Sequence, residues 1–534
     1  MKEHHNNPGN KHCKNTKFKA DLIKLQDVVK VKSLSKKEDK EKISIDDVLN
    51  ETNDLLEAAK MDKQHLLQNQ VANILDEMLD TIEPVNFREY CKLENYKDKL
   101  QKKHFLVASI EILLKTVNDN GFSLCRKSDF IYLYNSQYWE NVNDEVFKDF
   151  LGSAALKLGV YKFDAKHHLF KDDLYKQFIA DAGLKEIKPN NQTTLINLNN
   201  GTFEITPKKQ FLRAFKKSDF LTYQLPFTYD AKETAPQFKK FLDEVLPEPE
   251  LQNILAEYLA CIFVNNKNIK IEKVLLLYGT GANGKSVVFD VIMALLGSQN
   301  VANHSLQSLT SENSKSRINL LDKLLNYSSE INGKLNSNSF KLMASGEPIE
   351  IPVLYKQSII ATDYARLMFN CNELPKEVEN TNAFFRRFII LPFRVTISPC
   401  KQDKELSKRI IENELSGVFN WVLNGLTRLL QNKDFSSSKI VEDEVLQYQK
   451  ESDSVLMFLE DENYQKSTTN DRPLKDVYSE YKSYCIDNGY YSASMRTFSS
   501  RLRKNDFLLK RKSYGNCIFI ERKIFDDNLT KVEF

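Results

Sequence analysis

The sequence predicts an α/β protein: a parallel-sheet core bearing a phosphate-binding loop, an α+β region before it, and a small helix–helix–hairpin module after it. Three observations predict this. The octapeptide Gly279-Thr280-Gly281-Ala282-Asn283-Gly284-Lys285-Ser286 lies between an apolar run, Val274–Tyr278, and an apolar helical stretch that Gly297 closes. Further short strand-like runs follow, one ending at Glu330, one at Asn372, and an apolar one beginning after Arg387. Near the C-terminus, two stretches of helical spacing precede two strand-like runs around Gly515.

The octapeptide reads G-x-x-x-x-G-K-S. A strand, a glycine loop and a helix start in this order aim successive backbone N–H groups and the positive helix end at one point. Glycines there let the backbone approach phosphates closely. Lys285 is expected to reach the β- and γ-phosphates, and the Ser286 hydroxyl to hold Mg²⁺. A nucleoside triphosphate, ATP, with Mg²⁺ is therefore the expected ligand pair.

Composition sets the frame. The chain has 534 residues, 41% hydrophobic and 28% charged, which is ordinary for a globular protein. At about 150 residues per domain this allows three or four domains. The net charge of +3 rules out a chain that is basic throughout, so any nucleic-acid surface must be local. No apolar run approaches the roughly 18 residues of a membrane span, and the N-terminus lacks a signal-peptide apolar segment. Eight scattered cysteines form no C-x-x-C pair, which suits reduced thiols and a cytoplasmic location, with no membrane partner.

Residues 1–42 are rich in Lys and Asn, so a disordered basic arm is expected, either touching DNA or simply solubilising. His4, His5 and His12 within it read as incidental. Apolar residues at helical spacing predict a helical region over 43–95. Residues 96–232 read as α+β. Phe130–Tyr134 with Tyr138-Trp139 looks like one hairpin, and Leu195–Ile205, with a tight Asn-Gly turn, like another. Trp139 is either a core residue or a platform for a base; His167-His168 reads as structural. The nucleotide-binding domain is expected over 233–432, beginning with two helices from Pro236 to Val264. A linker at Ser436-Ser437-Ser438 and a helix fill 433–465, and the last module covers 466–534.

The runs after the loop carry the chemistry. Lys323–Glu330 reads as a strand ending in an acid, whose carboxylate can orient or deprotonate an attacking water and help place Mg²⁺. Ser329, not a second acid, precedes Glu330, so Ser286 and water are expected to hold most of the metal. Leu367–Leu374 reads as a strand ending at Asn372, an amide able to bond the water or the γ-phosphate; a strand-end turn is the plainer alternative. Arg386 and Arg387 then open an apolar strand. A guanidinium matches developing phosphoryl charge, and an arginine donated in trans makes hydrolysis depend on a neighbouring subunit.

With these motifs in order, the chain resembles the superfamily 3 helicases of the phage/plasmid primase C-terminal family, related to the poxvirus NTPase-primase. The carriers are the glycine loop, Ser329-Glu330, the segment Phe340–Ile349, Leu354-Tyr355-Lys356, Asn372 with Leu374-Pro375, and Arg386-Arg387 before Pro392-Phe393. The resemblance spans about residues 100–522 and is strongest between the loop and Phe393. It implies a P-loop, AAA+-like core preceded by a helicase-associated α+β domain. It also implies a homo-oligomeric ring, a hexamer, that hydrolyses ATP at subunit interfaces and pulls on single-stranded DNA. By position, Lys285 and Ser286 match the phosphate lysine and the metal-holding hydroxyl. Glu330 matches the catalytic acid, Asn372 the sensor and Arg387 the arginine finger, with Arg386 able to substitute. The family's pore hairpin falls near 352–358, which makes Lys356, beside Tyr355, the candidate DNA contact; a plain surface lysine is the alternative. Relatives often carry Asp where this chain has Glu347.

In the last module, Leu474–Tyr484 and Ser494–Lys504 read as helices, the second with a serine cap. An inward stripe of Met495, Phe498 and Leu502 leaves Arg496, Arg503 and Lys504 outside. Phe507–Lys512 and Cys517–Ile520 pair as a hairpin whose basic tip holds Lys510, Arg511 and Lys512. This fits a winged helix that reads DNA; a wing that binds protein is the alternative. The expected function is an ATP-driven DNA helicase in phage, plasmid or integrated-element replication. The competing expectations are a fused primase-helicase and an initiator that uses ATP only to assemble. The region before about residue 100 shows no acidic metal motif, so a separate primase is the expected source of primers.

Overall fold

The computed structural model describes residues 71–95, 97–127, 130–183, 193–206, 209–265, 269–329, 331, 335–353, 357–375 and 378–523. The expected basic arm and its histidines lie outside the described residues. Of the helical stretch expected over 43–95, residues 71–80 and Phe87–Tyr90 are helical among the described residues. The described residues from Glu77 onward belong to one of two compact units, which holds all the elements numbered below. Among the described residues, no helix is long and apolar enough to cross a membrane.

The α+β region is two meanders separated by helices. Helix α1 (Lys102–Asp119) leads into β1 (Ser123–Lys127), β2 (Phe130–Tyr134) and β3 (Trp139–Val142), an antiparallel sheet in that order. Trp139 is 4% exposed, donates its indole N–H to the Lys217 carbonyl at 2.9 Å and stacks on Phe220 at 5.1 Å. It is a core residue, with its polar handle satisfied as a buried tryptophan requires. Helices α2 (Asp144–Leu158) and α3 (His168–Asp181) follow, with Asn143 capping the first and His167 at the N-cap position of the second. The second meander is β4 (Thr194–Leu198), β5 (Gly201–Ile205) and β6 (Gln210–Arg213). Its tight turn lies one residue earlier than expected. Leu198 pairs with Gly201, so Asn199-Asn200 make the turn and Gly201 opens the strand. A Cβ at Gly201 would stand 2.4 Å from the Arg213 carbonyl oxygen, which is why glycine occupies that strand position.

Helices α4 (Pro236–Val245) and α5 (Pro249–Cys261) lead to the central sheet. Its strands are β7 (Val274–Tyr278), β8 (Val301–Ala302), β9 (Leu325–Ser328), β12 (Arg366–Cys371) and β13 (Phe388–Pro392). They lie side by side in the order β13-β7-β12-β9-β8, all parallel. The two-residue strand β8 has no counterpart in the sequence reading. Between them come α6 (Lys285–Leu296), α7 (Ser337–Ala344) and the antiparallel pair β10 (Ile349–Ile351) and β11 (Ile359–Ala361).

The apolar runs are continuous because both sheet faces are covered, and alternate residues serve opposite cores. Leu275, Leu277, Met368, Ile389 and Leu391 join one core with α4, α5 and α6. Val274, Leu276, Phe369, Phe388 and Ile390 join the other, with Phe340 and Tyr448.

Helices α8 (Leu406–Asn413) and α9 (Leu415–Asn432) cover the first face, and Gly425 of α9 meets α5 at Ala256. The expected linker serine, Ser436, is anchored. Its N–H and hydroxyl donate to the buried Glu257 carboxylate at 2.7 and 2.6 Å, and Arg428 pairs with the same group at 2.9 Å. A charge this deep requires such partners. The helix that follows, α10 (Lys439–Glu451), packs Tyr448 against Phe385 and Phe388 and so belongs to the second core.

The last core starts earlier than residue 466, at α11 (Ser454–Asp461), whose Val455 and Phe458 are buried in it. Then come β14 (Tyr464–Pro473), α12 (Leu474–Asp487), α13 (Met495–Lys504), β15 (Leu509–Lys512) and β16 (Gly515–Arg522), with sheet order β14-β16-β15. Strand β14 was not foreseen: its residues are mostly polar and mostly unburied.

One close approach is directly testable. A Cβ on Gly425 would lie 2.6 Å from the Ala256 carbonyl carbon. Gly425→Ala should force α9 off α5 and cost about 1–3 kcal/mol, the usual scale of overpacking. A thermal scan should show a Tm lowered by several degrees; an unchanged Tm would contradict the tight helix crossing.

Candidate functional site

The octapeptide is held from two sides. Strand β7 places it: Phe393 donates its N–H to the Tyr278 carbonyl at 2.6 Å, and Gly279 donates to the Cys371 carbonyl at 3.1 Å. A Cβ at Gly279 would fall 2.4 Å from both Asn283 Nδ2 and the Phe393 oxygen. At the loop's end Gly284 takes φ +85°, and a Cβ there would press Val245 and Phe241 of α4 at 2.8 and 3.0 Å. Between them Ala282 adopts φ +59°, and its carbonyl accepts from the Ile397 N–H at 2.8 Å. The loop is thus clamped, and α6 begins at Lys285 with its first N–H groups unused by the helix itself.

Within the loop the side chains divide. Thr280, Gly281, Ala282 and Ser286 are exposed, whereas Asn283 and Lys285 are buried. Lys285 Nζ donates to the carbonyls of Gly279 and Thr280 at 2.5 and 3.3 Å and to Asn283 Oδ1 at 3.0 Å. Burial pulls its pKa below the ordinary lysine value. Asn283 Nδ2 donates to the Phe393 carbonyl at 3.1 Å, so this asparagine braces the loop and positions the lysine. Burial pushes the neighbouring Cys371 thiol up to about 12, against the opposing charge of Lys285.

Asn372 follows β12 directly and is exposed. Its predecessor Cys371 pairs with Tyr278, so Asn372 stands at the loop end of the sheet. Glu330 lies outside the described residues; its strand, β9, ends at Ser328 on the same side. Two buried residues that sequence reasoning missed join these strands: Tyr327 donates its hydroxyl to Asn370 Oδ1 at 2.9 Å. An asparagine inside an otherwise apolar strand was the available signal.

The arginines occupy the opposite end. Val274, at the start of β7, donates its N–H to the Arg387 carbonyl at 2.7 Å. Four residue steps, about 13 Å of strand, separate that point from Tyr278. Arg387 donates Nε and Nη2 to Ser345 Oγ at 3.2 and 3.0 Å, and Nη1 to the Ala383 carbonyl. Its side chain is 10% exposed, against 64% for Arg386. Glu272 Oε2 lies 3.2 Å from Arg386 and 3.9 Å from Arg387, and its other oxygen is 2.7 Å from Lys270. Lys270 first, then the two arginines, hold this carboxyl below the usual range. Neither Ser345 nor Glu272 was identifiable from sequence.

Tyr355 and Lys356 lie outside the described residues; β10 and β11 flank them as an antiparallel pair. In the last module Arg496, Arg503 and Lys504 are exposed on α13, where spacings of seven and eight put them on one face. Lys510, Arg511 and Lys512 are exposed on β15 but are not equivalent. Lys512 pairs with Asp471 at 2.5 Å, and the Lys510 and Lys512 ammoniums lie 5.6 and 5.2 Å from the Phe519 ring. The hairpin turn is Ser513-Tyr514, since Lys512 pairs with Gly515.

Comparison with known proteins follows this layout. A model described as "D5 N terminal like" matches residues 111–247, and one described as "Poxvirus D5 protein-like" matches 450–533. A "Family of unknown function" model matches 277–387, from the end of β7 to Arg387. A curated protein of Acanthamoeba polyphaga mimivirus, "Putative helicase L207/L206", is 23% identical over 259 residues; the match covers 46% of this chain and 26% of that protein. Among solved structures, the NrS-1 C-terminal region aligns over 77% of this chain and 98% of its own, with 12% identity and a TM-score of 0.43. A second form aligns over 78% and 99%, with 11% identity and a TM-score of 0.39. Segments before and after the parallel sheet thus resemble D5-like proteins, the group to which the chain's motifs pointed.

The brace makes its own test. Asn283→Ala removes the acceptor for Lys285 and the donor to Phe393 while leaving every glycine in place. Nucleotide affinity should fall about tenfold, the effect of about 1.4 kcal/mol, as read by titration with a fluorescent ATP analogue. Wild-type affinity would mean that the glycines alone shape the loop.

Proposed function

We propose that this chain is an ATP-dependent DNA helicase of the superfamily 3 type, working as a homo-oligomeric ring. One observation carries the reading. Numbered along the chain, the parallel strands run in the order 5-1-4-3-2, with the glycine loop after the first and Asn372 after the fourth at one end of the sheet. Arg386 and Arg387 precede the fifth strand at the other end. This order supports an AAA+-like motor. An arginine some 13 Å of strand away from its own loop acts on nucleotide only when a second copy carries it there.

The loop's dimensions suit a triphosphate. Side chains at Gly279 and Gly284 would collide with neighbours, the N–H groups at the start of α6 are open, and a buried lysine stands ready to exchange loop carbonyls for phosphate oxygens. The exposed Ser286 hydroxyl and Glu330 would hold Mg²⁺, which supplies charge neutralisation of the phosphates when bound. Glu330 would orient the attacking water, and Asn372 would bond that water or the γ-phosphate and report hydrolysis to β12. Arg387 from the next subunit would stabilise charge developing on the transferred phosphoryl group, with Glu272 and Ser345 holding it until then. Tyr355 and Lys356, between β10 and β11, are the proposed contacts to single-stranded DNA in the ring's pore. Arg496, Arg503, Lys504 and Arg511 are the proposed duplex contacts of a C-terminal winged helix, with Lys510 and Lys512 at its rim. A hexamer, and a separate primase as partner, complete the proposal.

The D5-like matches favour a second reading equally, a primase-helicase that makes its own primers. Incubation of purified protein with NTPs and a single-stranded template separates the two: labelled primer product establishes the second reading.

For the motor itself, Lys285→Ala should abolish ATPase activity and unwinding. Arg387→Ala should lower ATPase activity by about 10³-fold or more, the scale of a lost arginine finger, while ATP binding changes little. Normal hydrolysis by Arg387→Ala would remove the trans assignment. Forks with defined 3′ and 5′ tails test the output. An active ATPase that displaces no strand from either tail would be an initiator that uses ATP to assemble.

A further inference from the structure

A cavity of about 750 Å³ opens between the α+β region and the end of the parallel sheet opposite the glycine loop. Its sheet side is formed by Leu321–Leu324, which lead into β9, and by Ile359–Tyr364 with Arg366, which lead into β12. Its other wall comes from β2, β4 and the segment before Leu225. The size is that of a ligand site, and none of the motifs above uses it.

The lining chemistry selects the ligand. Five cations and four acids face the cavity, but three of the cations are committed to the protein. Arg213 pairs with Glu204 at 2.5 Å and Asp219 at 2.8 Å. Arg366 donates to the carbonyls of Ile271 and Val264 at 3.3 and 3.2 Å, and Lys323 donates to that of Gln299. Lys127 and Lys216 remain, both exposed and neither in a salt bridge among the described residues. Lys127 is held in place without being neutralised: its ammonium lies 4.4 Å from the Phe220 ring, which itself stacks on the buried Trp139. Beside these lysines the half-buried Phe130 and Phe263, with Ile360 at 65% exposure, offer apolar surface. Spaced cations beside aromatic and aliphatic surface are the two requirements of single-stranded nucleic acid, whose phosphates need charge and whose unpaired bases need a face to lie on. The nearly balanced lining is poorly suited to a duplex, whose two backbones call for a broad positive surface.

We propose that this cleft binds a short run of single-stranded DNA, with phosphates on Lys127 and Lys216 and bases against Phe130, Phe263 and Ile360. The proposal rests on the DNA-motor reading and extends it. Strands β9 and β12 run from the cleft to the sites of Glu330 and Asn372, so a strand bound here sits on the elements that carry the catalytic acid and the sensor.

The test is fluorescence anisotropy of a dye-labelled oligothymidylate on the full chain, across a salt series, for wild type, Lys127→Gln/Lys216→Gln, and a charge-matched control, Lys162→Gln/Lys166→Gln. The cleft variant should bind at least tenfold more weakly. Its plot of log affinity against log salt should flatten by about 1.4, since each single-strand phosphate contact contributes about 0.7. The control should match wild type. Photocrosslinking with a 4-thiothymidine oligonucleotide should label peptides containing Phe130 or Phe263. If wild type binds and its ATPase responds to DNA while the cleft variant keeps the wild-type affinity and slope, the cleft assignment falls and the motor reading stands. If wild type binds no single strand at all, both fall together.

Discussion

Strand β7 is the constraint on which the rest of the site depends. It is hydrogen-bonded in parallel to β12 on one side and β13 on the other, and each of its ends is fixed by a backbone bond to a functional segment. At its C-terminal end Gly279 meets Cys371 and Tyr278 meets Phe393; at its N-terminal end Val274 meets Arg387. A slip of one residue in either pairing would move Leu275 and Leu277 from one core to the other. Register is therefore specified by the burial of both faces, and with it the separation between glycine loop and arginines.

That rigidity allows the loop to hold unfavourable backbone. A non-glycine residue in the left-handed region costs on the order of 1 kcal/mol or more, and Ala282 sits there at φ +59°. The bonds from Ile397 to Ala282 and from Asn283 to Phe393 tie the strained segment to the chain that leaves β13. The fifth strand thus contributes twice, with arginines before it and a loop brace after it. Movement of β13 would be felt at both ends, which gives a physical route between the proposed intersubunit contact and the glycine loop.

Much of this was legible because it is local. The glycine loop is recognisable from eight adjacent residues, Phe388–Pro392 announces itself as an apolar run, and the strands of Leu325–Ser328 and Arg366–Cys371 were placed by the polar residues that close them. The α13 stripe of Phe498 and Leu502, with Met495 partly buried beside it, was equally readable, whereas Trp139 was left open between core and base platform. What escaped is short, polar or non-local. Strand β8 has two residues, too few for any periodicity. Strand β14 runs Tyr-Gln-Lys-Ser-Thr-Thr-Asn-Asp-Arg-Pro and lies at a sheet edge with an irregular register between Lys466 and Asp471. An edge strand with little buried surface needs no apolar alternation. Ser436 looked like linker because its partner, Glu257, lies 179 residues away. The Ser345 and Glu272 contacts of Arg387 were hidden for the same reason.

On the proposed reading, the two ends of the sheet also explain why a single chain would be an incomplete machine. At the loop end, Lys285 is buried but satisfied by carbonyls that a phosphate oxygen can replace, so nucleotide binding exchanges partners without exposing a bare charge. At the far end, Arg387 is likewise satisfied, by Ser345 and Ala383, with Glu272 nearby. A buried guanidinium held mainly by neutral acceptors would gain opposite charge and bidentate geometry from a phosphate, which a serine hydroxyl and a backbone carbonyl cannot supply. On that reading, the energetic incentive to leave its cradle would appear only when another copy presents a nucleotide. On this argument hydrolysis is coupled to assembly by the placement of charge alone, and the cleft beside the same sheet end is where a DNA strand could add its own term to that balance.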